Sequence, residues 1–241
     1  MRKLVIGDIH SGLKALEQVL EKAKITPDDH LVFLGDYVDG WSQAVETINF
    51  LIALKATHNC TFLRGNHDEL CKSWLIDGKD NSVWFQHGGE ATINSYNKVD
   101  EFTKKIHIDF YNQLENYHLD SENRLFLHAG FTNLKGIDHE YFSKIFYWDR
   151  TLWELALSLN PKLSKDDELY PKRLTLYSEI YIGHTPVTRI GKTTPQSAAN
   201  VWNIDTGAAF KGPLSVVDVI TKQVWQSDPV YTLYPDENGR N

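Results

Sequence analysis

Five short strings in the 241-residue chain set aspartate, histidine or asparagine close to glycine: Gly7-Asp8-Ile9-His10, Gly35-Asp36-Tyr37-Val38-Asp39, Gly65-Asn66-His67-Asp68, His128-Ala129-Gly130 and Gly183-His184-Thr185-Pro186. Carboxylate oxygens, imidazole nitrogens and an amide oxygen form a borderline ligand set suited to manganese, iron, zinc or cobalt. It is neither the all-oxygen cage of calcium nor the thiolate set of structural zinc. A catalytic pair of ions about 3.5–4 Å apart needs one ligand that spans both, and a carboxylate such as Asp36 can do so. Neutral histidine and asparagine then complete the shells without cancelling the charge that acidifies water and attracts phosphate oxygens. A single aspartate after a strand is ordinarily a turn or helix-cap residue. The inference comes from five such loops together.

Those loops follow the segments that would have to hold them. Lys3–Ile6 reads as a buried strand, and Leu13, Leu16, Leu20 and Ala23 then recur at helical spacing until Ile25-Thr26-Pro27 stops the pattern. Leu31–Leu34 repeats the strand signal, Val45, Ile48, Ile52 and Leu54 carry a second helix, and Cys60–Leu63 is a third strand. Such β-α-β-α-β alternation predicts a parallel sheet with ligands gathered beyond the carboxyl ends of its strands. The middle, from about 70 to 122, reads as a helical insert without strand pattern. Leu125–Leu127, Ile180–Ile182, Val201–Ile204 and a hairpin of Leu214–Ile220 with Gln223–Trp225 return the chain to β structure, and Pro235 to Asn241 reads as a loose tail.

A net charge of −7 argues against a nucleic-acid polymer or an anionic membrane as partner, so a substrate phosphate would need local cations or metals. Two cysteines, Cys60 and Cys71, show neither a disulfide framework nor zinc spacing, which fits a reducing cytoplasm. The apolar stretch Leu4-Val5-Ile6 is far too short for a signal-peptide core, and no later run approaches a bilayer span. The whole of 1–241 is expected to fold as one domain. Oligomeric state is not legible.

The ordered series Gly-Asp-x-His, Gly-Asp-x-x-Asp, Gly-Asn-His-Asp, His-Ala-Gly and Gly-His-Thr resembles the calcineurin-like metallophosphoesterases. The fuller Gly35–Asp39 and Leu63–His67 strings resemble the phosphoprotein-phosphatase branch, with its phage lambda-type serine/threonine phosphatases and symmetrical diadenosine tetraphosphate hydrolases. The resemblance, which extends through Asp205-Thr206-Gly207, implies an α/β fold: a β-sandwich of two mixed sheets flanked by helices. It implies Asp8 and His10 on a first ion, Asp36 bridging, Asn66, His128 and His184 on a second, and His67 as general acid paired with Asp39. The implied cofactors are two divalent or trivalent ions, manganese first among Mn, Fe, Zn and Co. The implied reaction is attack by metal-bound hydroxide on a phosphomonoester, the substrate being a phosphorylated protein or a small phosphoester. A dinucleoside polyphosphate hydrolase or nucleotide phosphatase on the same core is the alternative, and a catalytically inactive scaffold a third.

One position departs from the resemblance. The branch usually carries arginine after the second aspartate of the second motif, where it clamps a substrate phosphate; here Gly40-Trp41 stands instead. A second family arginine matches Arg150 in Tyr147-Trp148-Asp149-Arg150, which is expected to bind phosphate. Arg64 is expected to brace the metal loop and Cys71 to be a packed thiol. His87 is expected to be a loop or packed histidine, and His30, His58, His107, His118 and His139 surface or satisfied polar residues. Tyr37, Trp41 and Trp148 read as core more readily than as a substrate mouth.

Overall fold

A computed structural model describes residues 2–79 and 81–240. The first half runs β1 (Lys3–Ile6), α1 (Leu13–Ala23), β2 (His30–Phe33), α2 (Ala44–Lys55), β3 (Asn59–Phe62) and α3 (Asn66–Asp77). Next come α4 (Ser82–Trp84), α5 (Glu90–Tyr96), α6 (Glu101–Asn112), β4 (Tyr117–Leu119), β5 (Arg124–Leu127), α7 (Ile145–Trp148) and α8 (Thr151–Ser158). The chain continues through β6 (Glu179–Ile182), β7 (Gln196–Ala198), β8 (Val201–Asn203), β9 (Ser215–Asp218), β10 (Val224–Gln226) and α9 (Val230–Leu233).

Two five-stranded mixed sheets form, in the orders β10-β9-β1-β2-β3 and β4-β5-β6-β8-β7. In the first, β1, β2 and β3 are parallel and β9 is antiparallel to β1; in the second, β5, β6 and β8 are parallel and β4 and β7 are antiparallel edges. Side chains alternate across each strand with period two. Leu4 and Ile6 therefore face the helical layer with Leu16, Val19 and Leu20, while Val5 turns to the interface between the sheets with Val32, Phe126, Tyr181 and Val217. Leu125 and Leu127 face the opposite layer with Leu152 and Trp153 of α8. Each such buried side chain contributes about 1.5–3 kcal/mol. Phe126 and Tyr181, register partners on neighbouring strands of the second sheet, stack at 5.0 Å and present their rings to the first sheet.

The structure departs from the sequence reading at three places. The middle segment is helical only to Asn112; Tyr117–Leu119 pairs antiparallel with β5, a three-residue edge too short and too polar to announce itself. Gln196–Ala198 is a second such edge. The segment after Pro235 is not loose through Arg240: Ser42 donates from its backbone N–H and its hydroxyl to the Glu237 carboxylate, and the Arg240 N–H donates to the Ala209 carbonyl. Asn241 lies outside the described residues. No described helix is long and apolar enough to cross a membrane.

The start of β1 is tied down by charge. Arg2 pairs with Asp29, and Lys3 and Arg124 converge on Asp120. The Arg2 hydrogen bond holds Asp29 down to about 2. Burial acts to raise Asp120, but the Lys3 and Arg124 hydrogen bonds outweigh it and hold it at about 2 as well. Carboxyls depressed in the folded state stabilise it fully above the unfolded value near 4, and that stability is lost as pH falls toward 2. Asp120→Asn should therefore cost about 1–2 kcal/mol at pH 7. In denaturant unfolding the difference from the parent should vanish near pH 2; a pH-independent difference would contradict this role.

Candidate metal centre

The six proposed ligands sit at the carboxyl ends of parallel strands from both sheets. Asp8 and His10 follow β1, Asp36 follows β2, Asn66 opens α3, His128 follows β5 and His184 follows β6; all six are buried. Asp36 is central. Its Oδ2 lies 3.6 Å from His10 Nε2 and 3.3 Å from His128 Nε2, while Oδ1 accepts the His67 backbone N–H at 2.9 Å. On one side Asp8 Oδ2 is 3.9 Å from the same His10 nitrogen. On the other, Asn66 Oδ1 and His184 Nδ1 are each 3.2 Å from His128 Nε2. His10 Nδ1 is spent on the Val38 and Asp39 carbonyls and His128 Nδ1 on that of Leu34, so each presents Nε2 to the carboxylate.

This donor set fits cations. Lone pairs of two imidazoles, an amide oxygen and a carboxylate oxygen meet around His128 Nε2, where one proton can serve only some of them. Among the described residues Asp8 Oδ1 is buried with no hydrogen-bond partner, a costly arrangement unless a cation completes it. Burial above all pushes His10 and His184 well below the ordinary histidine range, keeping them neutral as ligation requires. Burial also acts to raise Asp36, but the surrounding imidazoles, His128 foremost, hold it well below the carboxylate range. His128 itself is lowered by burial and raised more strongly by Asp36, to about 9. Without ions, then, a proton on His128 supplies the missing positive charge.

Crowding on this scale explains the neighbouring glycines. A Cβ at Gly65 would stand 2.1 Å from Asp36 Oδ1, and one at Gly183 would stand 2.0 Å from Asp8 Oδ1. Both are required for close approach rather than for an unusual dihedral, which the ligand residues themselves adopt: His10, Asp36 and His184 have φ of 52°, 55° and 67°. The loops are held against this strain by Asp68 at the start of α3. Its carboxylate accepts the backbone N–H groups of Asp36, Tyr37 and Gly65, each at 2.8 Å.

His67 also places a ring nitrogen within 4.8 Å of the His10 and Asp36 ligand atoms, but its Nδ1 is committed to Asp39 Oδ2 at 2.5 Å. Trp84 Nε1 donates to the same Asp39 oxygen at 2.5 Å, and Thr92 Oγ1 donates to the other at 2.6 Å. With its carboxylate fixed by indole and hydroxyl, Asp39 fixes the imidazole and leaves Nε2 as the free ring nitrogen of a side chain that lines the cavity above the ligands.

That cavity measures about 500 Å³. Asp36, Asn66, His67 and His184 lie at its base, and Arg150, Arg189 and Arg240 stand on its wall. Arg150 donates to Thr185 Oγ1 at 2.8 Å. Among the described residues none of the three arginines has a carboxylate partner within 4 Å. Burial, and then the repulsion of Arg189 and Arg240, lowers Arg150 below its ordinary value. A cation cluster of this kind in an acidic chain is relieved by an anion.

The model of the calcineurin-like phosphoesterases matches residues 1–209. The chain belongs to this family. A curated relative in Anoxybacillus flavithermus, named bis(5'-nucleosyl)-tetraphosphatase PrpE (asymmetrical), is 30% identical over 230 residues, covering 88% of each chain. Its namesake in Geobacillus thermodenitrificans is 27% identical, again covering 88% of each. By fold alone, a solved protein serine/threonine phosphatase of Saccharomyces cerevisiae with similarity to human PP5 superposes with a TM-score of 0.60 at 14% identity, covering 95% of this chain and 80% of that one.

Within this phosphoesterase Asp36, Asn66, His67, His184 and Arg150 line the cavity, while Asp8, His10, His128 and Asp39 are buried beneath it against those residues. Arg64 braces its loop, pairing with Glu69 and donating to the Tyr111 and Leu114 carbonyls. Cys71, Tyr37 and Trp41 are core, whereas Trp148 is 45% exposed and lines the cavity, as does His87. His107 is fully buried between Tyr96 and Asn49. Sequence reasoning missed Asp68, Trp84, Thr92, Arg189 and Arg240. Asp68 alone carried a local signal, an acidic residue three positions after Gly65 at a helix start.

An ion that binds neutral His128 must displace its proton at neutral pH. Metal affinity should therefore rise as pH climbs toward 9, by about tenfold per unit for each proton displaced. Calorimetric titration with Mn²⁺ in buffers of different ionisation enthalpy should register that proton release at pH 7; release of no protons would contradict the assignment.

Proposed function

We infer that this phosphoesterase hydrolyses a nucleoside polyphosphate, with a dinucleoside tetraphosphate as the model substrate, by opening a phosphoanhydride bond. The observation that carries the reading is the wall of the cavity: three guanidinium groups without carboxylate partners among the described residues surround a space of about 500 Å³ whose base is the ligand cluster. Several cations suit a chain of phosphates better than a single phosphomonoester. Aromatic surface from Trp148 and Phe210 beside them offers a nucleoside base somewhere to stack. The curated relatives carry the corresponding name. The motif strings that resemble protein phosphatases contribute ion ligands and a proton donor, which both reactions need alike.

Asp8, His10 and Asp36 would hold one ion, and Asp36, Asn66, His128 and His184 the other. Bound ions supply Lewis acidity toward phosphoryl oxygen and acidify water. The protein's own contribution is placement. Arg150 binds a non-bridging oxygen, its guanidinium oriented through Thr185. Asp149 fixes the backbone beside it by accepting the Thr151 and Leu152 N–H groups. His67 holds a proton at Nε2 and gives it to the departing bridging oxygen as the bond from phosphorus to water oxygen forms. Asp39, held by Trp84 and Thr92, keeps the imidazole aimed and faces the positive charge it carries before transfer.

Manganese-loaded protein should cleave diadenosine tetraphosphate with a kcat/KM at least about 10²-fold above that for a phosphoserine peptide. His67→Asn should reduce kcat about 10²-fold or more on an alkyl phosphate and much less on an aryl ester whose leaving group needs little protonation. Peptide turnover equal to that of the nucleotide would return the protein-phosphatase reading. Equal losses on both esters would remove His67 as the acid.

A further inference from the structure

We propose that Arg240, carried back to the cavity by the segment 234–240, binds a phosphoryl group of the substrate and occupies the place that Gly40 leaves without a cation. The inference rests on the phosphoryl chemistry proposed above for this cavity.

The segment is bound along a path shaped to receive it. Tyr234 is buried, stacks on Trp41 at 5.2 Å, donates from its hydroxyl to Gln43 and accepts the Lys14 N–H. Glu237 is held by Ser42, and Trp41 Nε1 donates to the Ala208 carbonyl, so the platform beneath is itself fixed. At Gly239, whose φ is +60°, a Cβ would stand 2.7 Å from the Trp41 ring. The Arg240 stem then crosses two more glycines. A Cβ at Gly40 would lie 3.4 Å from Arg240 Cγ, and one at Gly88 would lie 3.1 Å from it. Both have φ above +90°, which side chains rarely adopt.

The guanidinium emerges where an anion would be wanted. Its Cζ lies 5.3 Å from the Phe210 ring centroid, a contact that orients a planar cation. Nε is buried and has no hydrogen-bond partner among the described residues. No carboxylate lies within 4 Å among the described residues, although Glu237 is only three positions away and is spent on Ser42. The field of Arg240 reaches His10 at the ligand cluster and Arg150 across the cavity, both of which it disfavours as cations. A side chain that is sterically accommodated, oriented by an aromatic face, without a carboxylate partner among the described residues and sharing a cavity wall with two other arginines has the properties of an oxyanion-binding group. A packing residue at this spot would not need the charge.

The test uses manganese-loaded full-length protein and inorganic phosphate as the probe. Arg240→Met keeps the stem over Gly40 and Gly88 and removes the charge; Arg240→Lys keeps the charge and loses the fork. Phosphate binding, measured calorimetrically and as product inhibition, should weaken about tenfold in Arg240→Met. KM should rise at least as much, with Tm and metal content unchanged, and Arg240→Lys should recover part of the loss. Phosphate affinity within twofold of the parent in Arg240→Met would overturn the proposal. So would equal losses in both variants that follow a fall in Tm, which would assign the arginine to packing. If the parent does not turn over the nucleotide yet phosphate binding still depends on Arg240, the substrate reading fails and this inference stands.

Discussion

The geometry of the Asp36 carboxylate constrains everything around it. One oxygen is anchored by the His67 N–H and the other faces imidazole nitrogens from opposite sides at 3.3 and 3.6 Å. Placing a carboxylate there requires a backbone in the left-handed region at residue 36, a neighbour without a side chain at Gly65, and an internal acceptor in Asp68 to hold the loops together. Repulsion among the acidic groups is relieved only by positive charge at the cluster, whether protons or ions. The fold supplies the rigidity for this: loops from β1, β2 and β3 of one sheet meet loops from β5 and β6 of the other, and Val5, Val32 and Val217 pack against Phe126 and Tyr181 where the two sheets face each other.

Around that cluster the charge distribution is opposite to that of the chain as a whole. The sequence sums to −7, yet the cavity wall carries Arg150, Arg189 and Arg240 without carboxylate partners among the described residues. Local positive potential of this kind in an otherwise acidic protein concentrates the attraction for a phosphoester at the cavity. Asp39 uses both carboxylate oxygens, one on Trp84 and His67 and the other on Thr92, and so holds the imidazole in one orientation.

Much of this was legible in the sequence because ligands and strands share a local code. An apolar run ending in Gly-Asp or Gly-Asn-His states both the strand and the loop it delivers, so the strands from β1 to β3 could be read to within a residue, and the six residues expected as ligands are ones that the structure brings together. The two edge strands could not, since Tyr117–Leu119 and Gln196–Ala198 are defined by their partners rather than by their own patterning. Nor could the residues that act across long sequence separations. Trp84 and Thr92 reach Asp39 from the helical insert, and Arg240 reaches Gly40 from 200 positions away, with nothing local to mark any of them. Pro235-Asp236-Glu237-Asn238-Gly239 reads as a solvated tail by composition; the groove of glycines and Trp41 that orders it is a tertiary property.

Crystals grown with manganese and measured at its absorption edge test the central claim directly. The account predicts two anomalous peaks about 3.5–4 Å apart, one on each side of Asp36. A single peak, or ions bound away from Asp36, would contradict it.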